Sequence, residues 1–454
     1  METVDPRRWW ALVVLAAAQF MVIMDTSIIG VALPDMQREL GFSQSGLQWV
    51  FNAYVVAFGG LLLLGGRLSD LLGARKVFTS GWVILIAGSV VAAAAGSAWV
   101  EIVGRAVQGV GGALIAPASM TLLMMLFGAD QKELGKAMAL YGAAAPAGGT
   151  AGVFLGGVIT EYLSWPWVFI VYVPIGVATL AATGLLPAVQ GRRGSVDVVG
   201  AVSVTAGIAL VVYAIVSANW IAGAGGVALL ALFLIVQRTV REPLMPLSIW
   251  RTPGLAPSNL AMGLLGGAWI PMWYFLNLYL QQGLGYGAFA SGAALLPMTV
   301  AVMIFMVGIT ARLLQRFGAK PLIVLGLAVL AAGVAGLSFA RPDGTFAVDV
   351  LPASLVAAVG MSLAYIPAMM SAMSGARPEE AGLASGIVNT TYQVGSAIGL
   401  AVMTAVATSR DIESAFMGAA VVAALGAVLT VALMRTRRAS AAQDASQKAA
   451  QEAA

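Results

Sequence analysis

Long apolar runs alternate with short polar segments along the whole chain. Fourteen of these runs reach about 20 residues, the length that an α-helix needs to cross roughly 30 Å of hydrocarbon. The predicted spans are 10–34, 46–66, 77–97, 99–125, 134–160, 167–188, 197–217, 220–236, 257–280, 289–311, 321–340, 348–371, 381–407 and 415–434. The first run continues past Asp25 to Pro34 without a small-residue cleavage site, which favours a retained helix over a signal peptide. The pattern therefore predicts an all-α polytopic membrane protein with 14 transmembrane helices.

The basic residues are distributed very unevenly between the polar segments. If the N-terminus is cytoplasmic, the cytoplasmic segments hold 20 of the 24 lysine and arginine residues. The outer loops hold three, Arg38, Arg341 and Arg410, and Arg105 lies within a span. Because basic residues are retained on the cytoplasmic side of a membrane, this distribution predicts that both termini are cytoplasmic.

Several short motifs occur twice, about 245 residues apart, which indicates an internal repeat. Gly73 corresponds to Gly318, and Gly148 to Gly395. The repeat predicts two six-helix halves, 1–188 and 239–434, with an inserted helix pair at 189–238 and a disordered cytoplasmic tail at 435–454. Secondary transporters built from such repeats bind substrate between the halves, near the middle of the membrane.

Composition narrows the chemistry that such a protein can perform. The chain is 60% hydrophobic and 10% charged, and it contains neither cysteine nor histidine. Disulfides, cysteine–histidine zinc sites and histidine proton relays are therefore excluded, and proton transfer falls to carboxylates. There is no Gly-x4-Gly-Lys-Ser/Thr loop, so an ion gradient rather than ATP must supply the energy. We expect no cofactor, no metal, no nucleic-acid partner and no enzymatic activity.

Five motifs occur in a fixed order along the chain. They are Met24-Asp25-Thr26-Ser27, the segment 65–76, Arg105 to Ala113, Leu278-Tyr279-Leu280-Gln281, and Ala384 to Gly395. Together they resemble the major facilitator superfamily, specifically its fourteen-span drug:proton antiporter branch, over residues 15 to 405. The resemblance implies a monomer in the bacterial cytoplasmic (inner) membrane that exports lipophilic, cationic small molecules in exchange for protons. In this family the two halves rock about a central site.

Asp25 is the main candidate for proton coupling, because it lies near the middle of the first span. A carboxylate at that depth costs about 2.5–3.5 kcal/mol on insertion scales, so it should face a cavity or a partner. It could release a proton when a cationic substrate arrives. The family likeness gives Arg105 the role of tuning this step, and Glu101 lies four residues earlier on the same helical face. The alternative for Asp25 is a structural hydrogen bond between helices, and the alternative for Arg105 and Glu101 is a fixed ion pair.

The segment 65–76 reads as a charged, glycine-bracketed turn between two spans. Its candidate gating residues are Gly66, Arg67, Asp70, Gly73 and Arg75. In the family this loop stabilises one conformation of the two halves. The alternative, an anchor of positive charge, accounts for Arg75 but not for Asp70.

Two further sets of residues are candidates for transport. Four-residue glycine spacing lets helices approach closely and predicts a sliding interface in the fifth helix at Gly148, Gly152, Gly156 and Gly157. Polar and aromatic side chains at helical spacing predict a sparsely polar substrate cavity lined by Gln48, Asn52, Gln108, Trp273, Asn389 and Gln393. Helix packing alone is the alternative for both sets.

Two other functions stay open. The fifth-helix motif lacks the proline that the family pattern carries between its glycines, at Gly152 to Gly157, which leaves import of a small solute possible. A non-transporting scaffold or sensor would use the inserted pair for protein contacts, but it would not need Asp25 or Arg105. The sequence also does not decide whether Glu101 or Glu161 joins the proton path.

Overall fold

The structure is a computed structural model that describes residues 8–128, 131–188, 191, 194–341, 344–373 and 381–434. Throughout these ranges the secondary structure is helical and contains no strand. The predicted tail at 435–454 lies outside the described residues.

The first eight helices cover the N-terminal half and the inserted pair. They are α1 (Arg8–Leu40), α2 (Trp49–Leu72), α3 (Ala74–Ala93), α4 (Ala98–Phe127), α5 (Gln131–Tyr162), α6 (Trp167–Leu185), α7 (Val198–Ser217) and α8 (Trp220–Thr239). The remaining six are α9 (Leu255–Leu278), α10 (Ala288–Phe317), α11 (Ala319–Leu337), α12 (Phe346–Met373), α13 (Ala381–Ser409) and α14 (Ile412–Leu433). Each overlaps one predicted span.

Twelve of the described helices are long and apolar enough to cross a membrane, so the protein is a multi-pass membrane protein. The other two, α9 and α13, have 24 and 29 residues and coincide with the predicted spans 257–280 and 381–407. Both carry polar side chains, for example Asn259 on α9, whose amide oxygen accepts a 2.7 Å hydrogen bond from Thr391 on α13. That pairing explains how polar groups are accommodated between these helices.

The two halves pack in corresponding ways. In the N-terminal half α1 packs on α5 and α3 on α4, and in the C-terminal half α9 packs on α13 and α11 on α12. Small residues permit both close approaches, because a Cβ at Gly148 would overlap the carbonyl oxygen of Phe20, and a Cβ at Gly395 that of Gly263. Buried hydrophobic side chains fill the space between the helices of both halves.

The segment 65–76 differs from the predicted turn. The helix α2 continues through Gly66, Arg67 and Asp70 to Leu72, and only Gly73 breaks it, with a φ of +91°. Gly318 breaks the corresponding connection with a φ of +81°. A positive φ is strained for any residue with a Cβ, so a glycine at these two positions ends one helix and starts the next.

We call the end of the bundle where α1 and α5 finish and α10 begins the distal end, and the opposite end the proximal end. The halves are in contact at the distal end. Gln281 donates to the carbonyl oxygen of Val31 over 3.0 Å, and Gln282 donates to Gln37 over 3.1 Å. A Cβ at Gly157 would lie 2.8 Å from the Ala288 carbonyl oxygen, so α5 and α10 also touch there. The structure is therefore closed at its distal end.

Candidate functional site

A fully buried ion pair lies inside the N-terminal half. Asp25, near the middle of α1, and Arg105, two turns into α4, are both 0% exposed. The Arg105 Nη1 donates to Asp25 Oδ1 over 2.9 Å, and Nη2 lies 2.7 Å from Oδ2. Two charges are tolerated in such a place only when each is neutralised and hydrogen-bonded. The structure thus brings together the two residues that the sequence singled out for proton coupling.

The rest of the guanidinium is held by polar groups of neighbouring helices. Its Nε donates to the Val50 carbonyl oxygen over 2.9 Å, and Nη1 also donates to Gln108 Oε1 over 2.6 Å. The Gln108 amide in turn donates to the Ser89 hydroxyl over 2.7 Å. The ring of Tyr54 lies 4.6 Å from the guanidinium carbon, a cation–π distance. Arg105 is therefore fixed from α1, α2, α3 and α4.

Glu101 lies one turn before Arg105 and is also 0% exposed. Although Glu101 lies in the first turn of α4, the neighbouring helices cover it. Neither of its carboxylate oxygens has a hydrogen-bond partner among the described residues. It interacts electrostatically with Arg105 and with Asp25. A buried carboxylate without a partner is costly when it is charged. The site therefore contains a second carboxyl group, that of Glu101, for which the neutral form is favoured.

The six predicted cavity residues make different kinds of contact in this conformation. Gln108 belongs to the arginine network, and Asn52 donates to Gln48 over 3.2 Å within α2. Asn389 donates to a carbonyl oxygen of its own helix, that of Ser385, over 3.0 Å. Across the contact between the halves, Trp273 packs on Gly30, and Gln393 packs on Gly59. A substrate cavity lined by all six residues stays a prediction.

Two cavities lie between the halves. One, of about 410 Å³, is a shallow groove between α5 and α10 that is open on one side and lined by apolar side chains such as Phe154, Leu296 and Met303. The other, of about 420 Å³, lies at the distal end and is polar. Its lining includes Glu161, whose Oε2 accepts from the Phe289 amide over 3.4 Å. None of the six predicted residues lines either of these two cavities.

The interface glycines fall into two groups. A Cβ at Gly148, Gly152 or Gly156 would meet the backbone of α1 within the same half. The prediction that these three form a sliding face between halves is therefore wrong, because their face of α5 is turned toward α1. Gly157 is different, since it faces Ala288 and Gly292 of α10 in the other half.

Comparison with known proteins identifies the family. The model of the Major Facilitator Superfamily matches residues 15–400, which is most of the chain. The chain belongs to the Major Facilitator Superfamily. It is accordingly a transporter and not an enzyme.

Curated relatives in the superfamily cover most of the chain. A puromycin resistance protein of Streptomyces alboniger is 38% identical over 418 residues, covering 89% of this chain and 82% of the relative. The cephamycin export protein CmcT of Amycolatopsis lactamdurans is 38% identical over 407 residues, covering 87% and 84%. The fold is also that of a solved nucleoside transporter, NupG, with a TM-score of 0.68 and 14% identity over 93% of this chain and 99% of that one.

The segment 65–76, at the end of α2 and the start of α3, makes contacts that the sequence did not indicate. Arg67 donates to Glu242 over 2.6 Å and to the Ser195 carbonyl oxygen over 3.3 Å. Arg75 donates to the Leu186 carbonyl oxygen over 3.3 Å. Asp70 is exposed and makes no hydrogen bond or ion pair within the described ranges. Within the described ranges, Arg67 and Arg75 therefore connect this segment with the loops before α7 and after α8 and with the residue that follows α6.

Sequence reasoning missed four residues that support these sites: Ser89, Tyr54, Ser195 and Glu242. Ser89 and Tyr54 lie within long apolar runs and carry no sequence signal. Their contacts become visible only when α2 and α3 pack on α4. Ser195 and Glu242 lie in polar loops on either side of the inserted pair, 47 positions apart. Glu242 is an isolated carboxylate near basic residues, which is a weak signal, and no motif connects it with Arg67.

Proposed function

We propose that this transporter exports lipophilic, monovalent cationic small molecules, each in exchange for a proton. The observation that carries the proposal is the charge of the buried site. Asp25 and Glu101 provide two carboxylates and Arg105 provides one guanidinium, all of them 0% exposed. With both carboxylates ionised the site has one excess negative charge, which is unfavourable in a low dielectric. One proton, or one monovalent cation close by, neutralises it.

The geometry supports a specific order of events. In the distally closed state Arg105 is paired with Asp25, and Glu101 holds the proton because nothing else neutralises it. When a cation approaches the site, Glu101 can release that proton without leaving a net charge. After the cation has left on the distal side, a proton taken up by either carboxylate restores neutrality. Arg105 is always paired with one carboxylate, and substrate and proton cannot occupy the site together.

Two observations support lipophilic substrates and export. The shallow groove between α5 and α10 is lined almost entirely by apolar atoms, and it gives the contact between the halves an apolar rim along which a lipophilic molecule can approach. The relatives carry names of antibiotic resistance and export, such as the tetracenomycin C resistance and export protein of Streptomyces glaucescens. Import of a solute has no comparable support among these relatives.

The membrane arrangement belongs to the same proposal. We propose that α9 and α13 complete fourteen spans, that both termini are cytoplasmic, and that the protein is a monomer in the bacterial inner membrane. The natural chain has no cysteine, so single cysteines can be added one at a time and labelled with an impermeant thiol reagent in intact cells. Labelling at the distal end alone is expected, and labelling in the loops at the proximal end would contradict this orientation.

Transport by the purified protein in proteoliposomes tests the function. An imposed pH gradient should drive accumulation of a fluorescent lipophilic monovalent cation, and Asp25→Asn should abolish it. Glu413→Gln is a matched control, because it makes the same kind of carboxylate-to-amide change on α14, outside the site. Equal accumulation with and without the gradient would refute proton coupling.

A further inference from the structure

Arg67, in the segment 65–76, forms hydrogen bonds with the loops on both sides of the inserted helix pair. Its Nη2 lies 2.6 Å from Glu242 Oε2, in the loop after α8. The same carboxylate oxygen accepts from the backbone N–H of Ser195 and, over 2.9 Å, from its hydroxyl, in the loop before α7. The Arg67 Nε also donates to the Ser195 carbonyl oxygen. One carboxylate oxygen thus joins the end of α2 to both loops.

Close packing reinforces these bonds. A Cβ at Gly191 would overlap the carbonyl oxygen of Leu71, and one at Gly194 would lie 3.0 Å from the Arg67 side chain. The loop before α7 therefore lies directly on the last turn of α2. At position 191 only glycine permits that approach, because a Cβ there would overlap backbone atoms.

The two inserted helices are also hydrogen-bonded to each other, at the start of α7 and the end of α8. Asp197, 5% exposed, accepts over 2.6 Å from the Gln237 amide, and Gln237 accepts over 2.8 Å from the backbone N–H of Met245. Asp197 also caps α7 through the Gly200 N–H over 2.7 Å. Because these groups are buried and paired, the bases of α7 and α8 and their loops form one unit.

The helix α7 also contacts both halves of the transporter. It packs on α2 of the N-terminal half and on α13 of the C-terminal half. A Cβ at Gly60 of α2 would lie within 3.0 Å of the Thr205 Cα on α7, so the contact with α2 is close. A movement of α2 relative to α13 must therefore change at least one face of α7.

From this arrangement we infer that Glu242 is a positioning residue for Arg67, and that through this contact the inserted pair stabilises the distally closed state. The inference rests on the transport cycle proposed above. Glu242 touches neither substrate nor the buried ion pair; it acts by holding the end of α2 against the unit formed by α7, α8 and their loops. Removing its charge should free α2 and raise the fraction of molecules that are open at the distal end.

The test measures the distal gap directly. Spin labels on cysteines at Leu163 and Phe339, 60% and 76% exposed, report the distance between the halves in a chain that is otherwise free of cysteine. Glu242→Gln should raise the population with the longer distance by about twofold to fivefold, the range expected for an exposed ion pair. Arg241→Gln, an exposed neighbour in the same loop, is the control. Arg67→Gln should produce a shift of the same size, and the double variant Arg67→Gln with Glu242→Gln no further shift, because both changes break the same contact.

The outcomes separate this inference from the proposed function. A distance distribution in Glu242→Gln that equals those of wild type and Arg241→Gln would overturn the inference, even if wild-type transport is proton-coupled. Shifts that add up in the double variant would also overturn it, because the effect of Glu242→Gln would then not come from the Arg67 contact. Failure of wild type to exchange cations for protons would refute the proposed function, and the distance measurement would still decide the role of Glu242.

Discussion

Arg105 should always need one ionised carboxylate, and this requirement can be measured as a coupling between Asp25 and Glu101. In wild type Arg105 pairs with Asp25, and Glu101 has no hydrogen-bond partner within the described residues. Asp25→Asn imitates the protonated aspartic acid. In that variant Glu101 is expected to ionise and to take over the guanidinium, which is one helical turn away.

The structure sets the expected size of each effect. A buried charge that loses its partner typically costs about 3–5 kcal/mol of folding free energy. Glu101→Gln removes no bond seen in the structure and resembles a protonated Glu101, so we expect a loss below about 1 kcal/mol. Asp25→Asn should cost less than about 2 kcal/mol, because Glu101 compensates for the missing charge. The double variant leaves Arg105 without a carboxylate and should cost the full amount, about 3–5 kcal/mol.

The assay is reversible unfolding of the purified protein in mixed micelles, with the free energy of unfolding determined for all four members of the cycle. Contacting groups that share a network show interaction energies of about 0.5–3 kcal/mol. We expect a value in the upper half of that range. Additive losses for Asp25→Asn and Glu101→Gln would refute the reasoning, because they would mean that Glu101 never replaces Asp25.

Further predictions concern the glycines of α5 and the loop carboxylate. Gly148→Ala should destabilise the fold by about 1–3 kcal/mol, because the added Cβ overpacks on Phe20. Gly142→Ala is the control, because a Cβ at Gly142 meets no atom within 4 Å. For both variants the free energy of unfolding in micelles is measured. Gly157→Ala should instead widen the distal gap measured by the spin labels, because its Cβ would press on α10 of the other half. The N–H and hydroxyl of Ser195, and then Arg67, hold the pKa of Glu242 below its ordinary value. Because the pKa of Glu242 is lowered, its charged form stabilises the contact fully above the ordinary pKa of a glutamate, and this stabilisation is lost only as the pH falls through the lowered pKa. The effect of Glu242→Gln on the distance between the spin labels should therefore be the same at pH 6 and pH 8.

The sequence predicted the helices well because each is long, apolar and bounded by polar residues. Even α9 and α13, with their Asn259 and Thr391, overlap predicted spans. The buried pair was also predictable, since a lone carboxylate and a lone arginine within apolar helices have few ways to be neutralised.

The errors arose where neighbours in space decide the structure. Gly66, Arg67 and Asp70 looked like a turn, yet the helix continues until Gly73 because only there does the backbone need a positive φ. Periodicity alone did not tell which helix faces Gly148 and which faces Gly157. The sequence also did not indicate the hydrogen bond between Asn52 and Gln48, because such bonds depend on side-chain geometry. The contact between Arg67 and Glu242 joins positions 175 apart, beyond the reach of any local pattern.

The central claim is that one proton and one monovalent cation compete for a single excess charge at Asp25, Glu101 and Arg105. Its most direct test is the number of protons released when a lipophilic monovalent cation binds to the purified protein in weakly buffered detergent solution, measured together with the amount of cation bound. If proton and cation compete for this charge, wild type should release up to one proton per bound cation near neutral pH. The variant with both Asp25→Asn and Glu101→Gln should release no proton, and a neutral drug should release none from wild type. Binding of the cation to wild type without proton release would contradict it.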